Sequence, residues 1–148
     1  MNILLVEDNN YKIEQLIAFL GEEYPTFKIV IRKSYHSGLK EIILNNNYDL
    51  ILLDISMPTY DIQPGESGGD PIPQAGGLIL NEMYLRDISA KVVVVTMYEN
   101  FVDGSKLLAL DKQFQKEYGS NYRGYVYFSP GNNIQWKDAL KNKIREIL

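Results

Sequence analysis

Three carboxylates stand directly after two apolar runs of this 148-residue chain. Glu7 and Asp8 follow Ile3-Leu4-Leu5-Val6, and Asp54 follows Leu50-Ile51-Leu52-Leu53. Carboxylates brought into one small volume repel and raise one another's pKa unless a cation sits among them. Oxygen ligands without a neighbouring His or Cys suit Mg²⁺, which takes one or two carboxylates and keeps several waters. The bland alternative is that these acids favour the helix N-termini that follow them. For Asp8 alone the two readings stand level; three acids at two adjacent strand ends favour the metal. Two further polar positions close apolar runs: Thr96 after Val92 to Val95, and Ser129-Pro130 after Tyr125 to Phe128.

The elements that position these residues follow from periodicity. Four apolar runs are continuous where a half-exposed strand would alternate, as central strands of a parallel sheet are when both faces are covered. Phe27 to Arg32 interleaves charged and apolar residues and reads as an edge strand. Ile13, Leu16, Ile17 and Leu20 form one helical stripe, with Lys12, Glu14 and Gln15 on the other face and Gly21 helping to end the helix. Ser34 is an N-cap for a second helix carrying Leu39, Ile42 and Ile43, which Asn45-Asn46-Asn47 can stop in the left-handed conformation. A third helix is expected from about Gly77 to Arg86 with Ile79, Leu80 and Met83 inward. A fourth carries Leu107, Leu110 and Phe114, and a fifth carries Trp136, Leu140, Ile144 and Ile147. Strand and helix thus alternate five times, which predicts an α/β, doubly wound, five-stranded parallel sheet of order 2-1-3-4-5. Ligands gather at the carboxyl ends of such strands, where the acids lie. The segment 59–76, with three prolines and four glycines, reads as a long loop, neither helix nor strand: a lid, a docking segment or a surface insertion.

Composition narrows the classes of function. The length suits a single domain over 1–148. Hydrophobic residues make up 45% and charged residues 23%, which predicts a chain that folds alone. A net charge of −4 disfavours direct nucleic-acid binding, which depends on attraction to phosphates. No cysteine is present, so there is no disulfide framework or thiolate metal site. No apolar run approaches the roughly 20 residues that a membrane span needs, and the acids at Glu7 and Asp8 do not fit a signal peptide. Membrane insertion is not expected, and a cytoplasmic location is.

The segments ILLVEDN (Ile3 to Asn9), LILLDISMP (Leu50 to Pro58) and VVVVT (Val92 to Thr96), in that order and spacing, resemble the receiver domain of bacterial two-component response regulators, a flavodoxin-like fold. The resemblance implies that Asp54 is the phosphoacceptor and that Glu7, Asp8, Asp54 and the backbone carbonyl of Ser56 hold Mg²⁺. It implies that Thr96 is the switch hydroxyl, and that the partners are a histidine kinase or phosphotransfer protein and a downstream protein, with a homodimer left open. A carboxylate can act as a nucleophile toward a phosphoryl group, and positioning with charge neutralisation is most of what the transfer needs. Such a protein is at most a phosphoacceptor that dephosphorylates itself, not a conventional enzyme.

Three positions depart from the family pattern. Ser129 occupies the place of the usual lysine, leaving Lys12, Arg32 or Lys33 as cations that can reach in from neighbouring loops. Met97 follows the switch threonine, where a small residue is usual, and Val126 holds the position of the switch aromatic, flanked by Tyr125 and Tyr127. The expected function is therefore a stand-alone phosphoaccepting receiver, with a phosphorylation-independent pseudo-receiver acting as an interaction module as the alternative. An aspartyl-phosphate hydrolase fits less well, because it places a second Asp two residues after the nucleophile on its first strand. An FMN site fits worst, since two carboxylates would repel the flavin phosphate. His36 reads as a surface residue, Trp136 as core, and Lys137, Lys141 and Arg145 as a solvated face.

Overall fold

The computed structural model describes residues 1–99, 106–131 and 133–148, with only the backbone of Asn133. Five parallel strands, β1 (Asn2–Val6), β2 (Lys28–Arg32), β3 (Leu50–Leu53), β6 (Lys91–Thr96) and β7 (Tyr122–Tyr127), form one sheet of order β2-β1-β3-β6-β7. This is the expected doubly wound order, with β2 at an edge. Helices α1 (Asn10–Glu23), α2 (Tyr35–Leu44), α3 (Ala75–Leu85), α4 (Leu107–Glu117) and α5 (Asn133–Ile147) connect or follow the strands.

Alternation along the strands divides the core into two layers. Leu4, Val6, Ile51, Leu53, Val92 and Val94 pack with Ile42, Ile79, Leu80, Met83, Leu110 and Phe114 from α2, α3 and α4. Ile3, Leu5, Leu50, Leu52, Val93 and Val95 pack on the other face with Leu16, Phe19, Trp136, Leu140 and Ile144 from α1 and α5. Both faces being covered, the strands have no polar side, which explains their continuous apolar runs. Trp136 lies at 5.4 Å from the Phe19 ring and 4.9 Å from Phe128, a core residue as expected.

Several local details differ from the sequence reading. Gly21 lies inside α1, which continues to Glu23 and stops before Pro25, because the residue before a proline is biased away from helix. Asn45 does end α2, but with φ −125°, extended rather than left-handed. Ile43 is 37% exposed, so α2 buries Gly38 and Ile42 instead. Helix α3 starts at Ala75, ahead of the expected Gly77. The long loop is not without strand: β4 (Met57–Pro58) pairs antiparallel with β5 (Pro71–Ile72). Prolines fit there because a two-stranded ribbon is all edge, where a missing N–H costs no ladder bond. The Tyr60 N–H donates to Gly68 O at 2.8 Å and Thr59 Oγ1 donates to Asp70 O at 2.5 Å, so the segment closes on itself. The Ser37 hydroxyl at the start of α2 donates to Asp61 at 2.7 Å and ties it to the body.

Candidate phosphoacceptor and metal site

Register puts the acids together. Val6 pairs with Leu53 across β1 and β3, so Glu7 and Asp54 leave the sheet side by side at its carboxyl edge. The Asp54 N–H donates to Val6 O at 3.1 Å and the Glu7 N–H to Arg32 O at 2.9 Å. Oxygens of Glu7, Asp8 and Asp54 all lie within 4.8 Å of one another. Glu7 and Asp54 are buried, at 1% and 6% exposure, while Asp8 is partly exposed. Gly76 allows this geometry: a Cβ there would meet Asp54 O at 2.6 Å, so only glycine lets the start of α3 approach the chain after β3.

The fourth charged member is Lys12. The Asn9 side chain caps α1 by accepting from the Lys12 N–H at 3.0 Å, which puts Lys12 in the first turn. A helical side chain leans toward the N-terminus, and here that direction carries the ammonium back over the sheet edge. Its Nζ stands 2.5 Å from Glu7 Oε2, 3.4 Å from Asp54 Oδ2 and 2.5 Å from Val95 O. Lys12 is wholly buried, contrary to its expected place on the polar face of the helix. The reason is legible in the spacing: Lys12, Leu16 and Leu20 fall at i, i+4 and i+8, on the buried stripe. The other two cations considered turn elsewhere. Arg32 bonds Glu41 at 3.1 Å and Lys33 bonds Asn10 Oδ1 at 2.9 Å.

Burial pushes the Glu7 carboxyl up to about 8, against the pull of Lys12 and with the help of Asp54. Burial, and then Asp54, also raise Asp8. With all four groups ionised, Lys12 answers one of three negative charges, which leaves a deficit of the size a divalent cation carries. The donors are oxygens, so the residues present fit Mg²⁺.

A cleft of about 260 Å³ opens over these residues. Glu7, Asp8, Asp54, Ser56 and Met97 line it. Ile62, Ser67, Gly69 and Pro71 bring the long loop to its wall. Thr96 ends β6 fully buried, its Oγ1 accepting from the Tyr98 N–H at 3.3 Å. Ser129 lies two residues beyond β7, partly exposed, and is not among the described residues lining this cleft. The register between β6 and β7 shifts at a bulge, where Val94 faces Tyr125 after Val92 faces Tyr122. It leaves Val126 buried in the α1/α5 layer, while Tyr125 and Tyr127 line a separate cleft beside Lys106, Leu107 and Leu108. His36 is exposed and packs beside the Tyr60 ring at 5.2 Å, a surface residue as expected.

No family model matches the chain. The Detocs response regulatory protein DtcB of Enterobacter cloacae is 30% identical over 151 residues, spanning 99% of this chain and 100% of that protein. The response regulator TrrA of Thermotoga maritima, solved in complex with Mg²⁺-BeF, is 25% identical with a TM-score of 0.62, covering 99% of this chain and 98% of that one. The phosphorylated cyanobacterial phytochrome response regulator RcpA superposes with a TM-score of 0.65 at 22% identity, over 98% and 91% of the two chains. The sheet order and the relatives agree: the chain belongs to the response regulator receiver family.

Proposed function

We propose that this chain, folding as one domain, accepts a phosphoryl group on Asp54 from a histidine kinase or phosphotransfer protein and signals by binding a downstream partner. The observation that carries the reading is the convergence of Glu7, Asp8 and Asp54 within 4.8 Å in the lining of one cleft. Mg²⁺, when bound, would neutralise charge between these acids and the phosphoryl oxygens. Glu7, Asp8, Asp54 and the Ser56 carbonyl would hold it. The Ile55 N–H donates to Asp54 Oδ1 at 2.8 Å and fixes the carboxylate plane, so the nucleophile is oriented before a donor arrives. Thr96 would have to exchange its bond from Tyr98 for one to a phosphoryl oxygen, and that exchange would move the chain after β6.

The alternative, a pseudo-receiver that serves only as an interaction module, is favoured by one observation. The long loop and Met97 wall the cleft, and Asp54 is 6% exposed. Titration with fluoroberyllate, a phosphoryl mimic, in the presence of Mg²⁺ decides between them. Saturable binding by the natural protein, abolished in Asp54→Asn, is the expected result; absence of binding at millimolar mimic would sink the phosphoacceptor reading and leave the interaction module.

A further inference from the structure

We propose that Lys12 is a catalytic residue, the cation that steadies the phosphoryl group on Asp54, delivered from the first turn of α1. The proposal rests on Asp54 being the phosphoacceptor. An ammonium has three N–H bonds, and three oxygens surround this one. Glu7 Oε2 and Val95 O, each at 2.5 Å, hold it firmly, while Asp54 Oδ2 at 3.4 Å is a looser contact. Two donors thus anchor the group and the third points at the nucleophile.

The placement breaks an ordinary preference: a cation is disfavoured in the first turn of a helix, and full burial of a lysine is tolerated only because it is paired, here with Glu7 and Asp54. The Asn9 cap and the apolar neighbours on the α1 stripe nevertheless hold Lys12 there. Such a conflict between local preference and observed structure is expected at functional sites. Ser129 adds an independent point: uncharged and outside the cleft lining, it supplies no cation from the end of the last strand.

The transfer itself balances without further reagents. An Asp54 carboxylate oxygen attacks the phosphorus of an N-phosphorylated imidazole. The oxygen–phosphorus bond forms as the phosphorus–nitrogen bond breaks, and its electron pair returns to the ring nitrogen. The imidazole, already protonated on its other nitrogen, leaves neutral as its positive charge cancels the negative charge of Asp54, and the dianionic charge at the site now sits on the phosphoryl oxygens of the acyl phosphate. The third N–H of Lys12 then follows that charge from Asp54 Oδ2 to a phosphoryl oxygen as a charge-assisted bond.

The test compares binding of Mg²⁺ alone with binding of fluoroberyllate in saturating Mg²⁺, by calorimetry and ¹⁹F NMR. The proteins are the natural one, Lys12→Met, and the double variant Lys12→Met/Ser129→Lys. Loss of Lys12 removes a charge that competes with Mg²⁺ and attracts an anion, so the two affinities should move in opposite directions. Fluoroberyllate should weaken by roughly tenfold or more, Mg²⁺ should bind as well or better, and Ser129→Lys should restore most of the loss. A purely structural lysine would lose both affinities together without rescue, or neither, and either result overturns the proposal. Lys12→Gln, which keeps a neutral donor beside Glu7 and Val95, provides the same contrast if Lys12→Met does not fold. Failure of the natural protein to bind fluoroberyllate would instead overturn the phosphoacceptor reading, and this proposal with it.

Discussion

Two of the cation–glutamate pairs among the described residues behave in opposite ways. Lys12 and Glu7 are buried, at 0% and 1% side-chain exposure, whereas Arg32 and Glu41 retain 38% and 12%. Burial pushes the Glu7 carboxyl up to about 8 even with the ammonium beside it. Glu41 is held below its usual value, first by the Tyr48 hydroxyl at 2.6 Å, then by the Asn45 amide and Arg32. The difference lies first in burial and then in donors per charge. Glu41 collects three side-chain donors and is not surrounded by other acids, while Glu7 shares one lysine with Asp54. A buried carboxylate left short of donors is stabilised most by a cation; one already supplied has little use for another.

The largest expected effect follows from that contrast. A ligand that binds only the folded state stabilises by about 2.7 kcal/mol at a hundredfold excess over Kd. Saturating Mg²⁺ should raise the unfolding midpoint of the natural protein accordingly. Asp8→Asn, which removes an oxygen donor from the acidic trio, should lose most of that gain. Glu41→Gln should keep it in full, because Glu41 lies outside the trio. Equal Mg²⁺ stabilisation of Asp8→Asn and the natural protein would show that the two clusters do not differ in the way argued.

An intermediate effect concerns pH. Glu41 is lowered from 4.5, so its contribution is present above the unfolded value and is lost as pH falls through the folded one. Tyr48→Phe removes the strongest donor and should cost about 0.5–1.5 kcal/mol at pH 7, with the deficit vanishing at the acid end of that window. Glu7, raised from 4.5 to about 8, has the opposite sign: without Mg²⁺ its contribution is present below 4.5 and lost as pH rises through about 8. Carboxyl carbon NMR titrations of both residues check the two directions. A Glu7 titration at or below the ordinary range in Mg²⁺-free buffer would remove the contrast.

Much of this was legible in the sequence, for identifiable reasons. A strand buried on both faces must be apolar throughout, so the central strands and their order could be read from Ile3 to Val6, Leu50 to Leu53 and Val92 to Val95. The acids followed, because a parallel sheet brings all its carboxyl ends to one edge. Lys12 reads both as part of a polar face and as a cation able to reach the acids; its i, i+4, i+8 spacing with Leu16 and Leu20 argues for burial. The β4–β5 ribbon was illegible for a different reason. Its two-residue strands are held by Thr59, Tyr60 and Gly68 contacts within the loop, and prolines mask any strand pattern. That the loop lines the same cleft as Asp54 is a tertiary outcome that no local period records.

The smallest expected effect is the most discriminating. In the natural protein, Ser129→Lys should leave fluoroberyllate affinity within about twofold, because a second ammonium would face a site whose cation is already seated and would meet like-charge repulsion. Lys12 already holds Glu7 Oε2 and Val95 O, so a newcomer from the end of β7 has only the outer phosphoryl oxygens to claim. In the Lys12→Met background the same substitution should act strongly. The size of the Ser129→Lys effect thus depends on whether residue 12 is charged, and a double-mutant cycle measures that dependence directly. A gain near tenfold in both backgrounds would mean that the two positions act independently, and that the buried lysine stabilises the acids without attending the phosphoryl group.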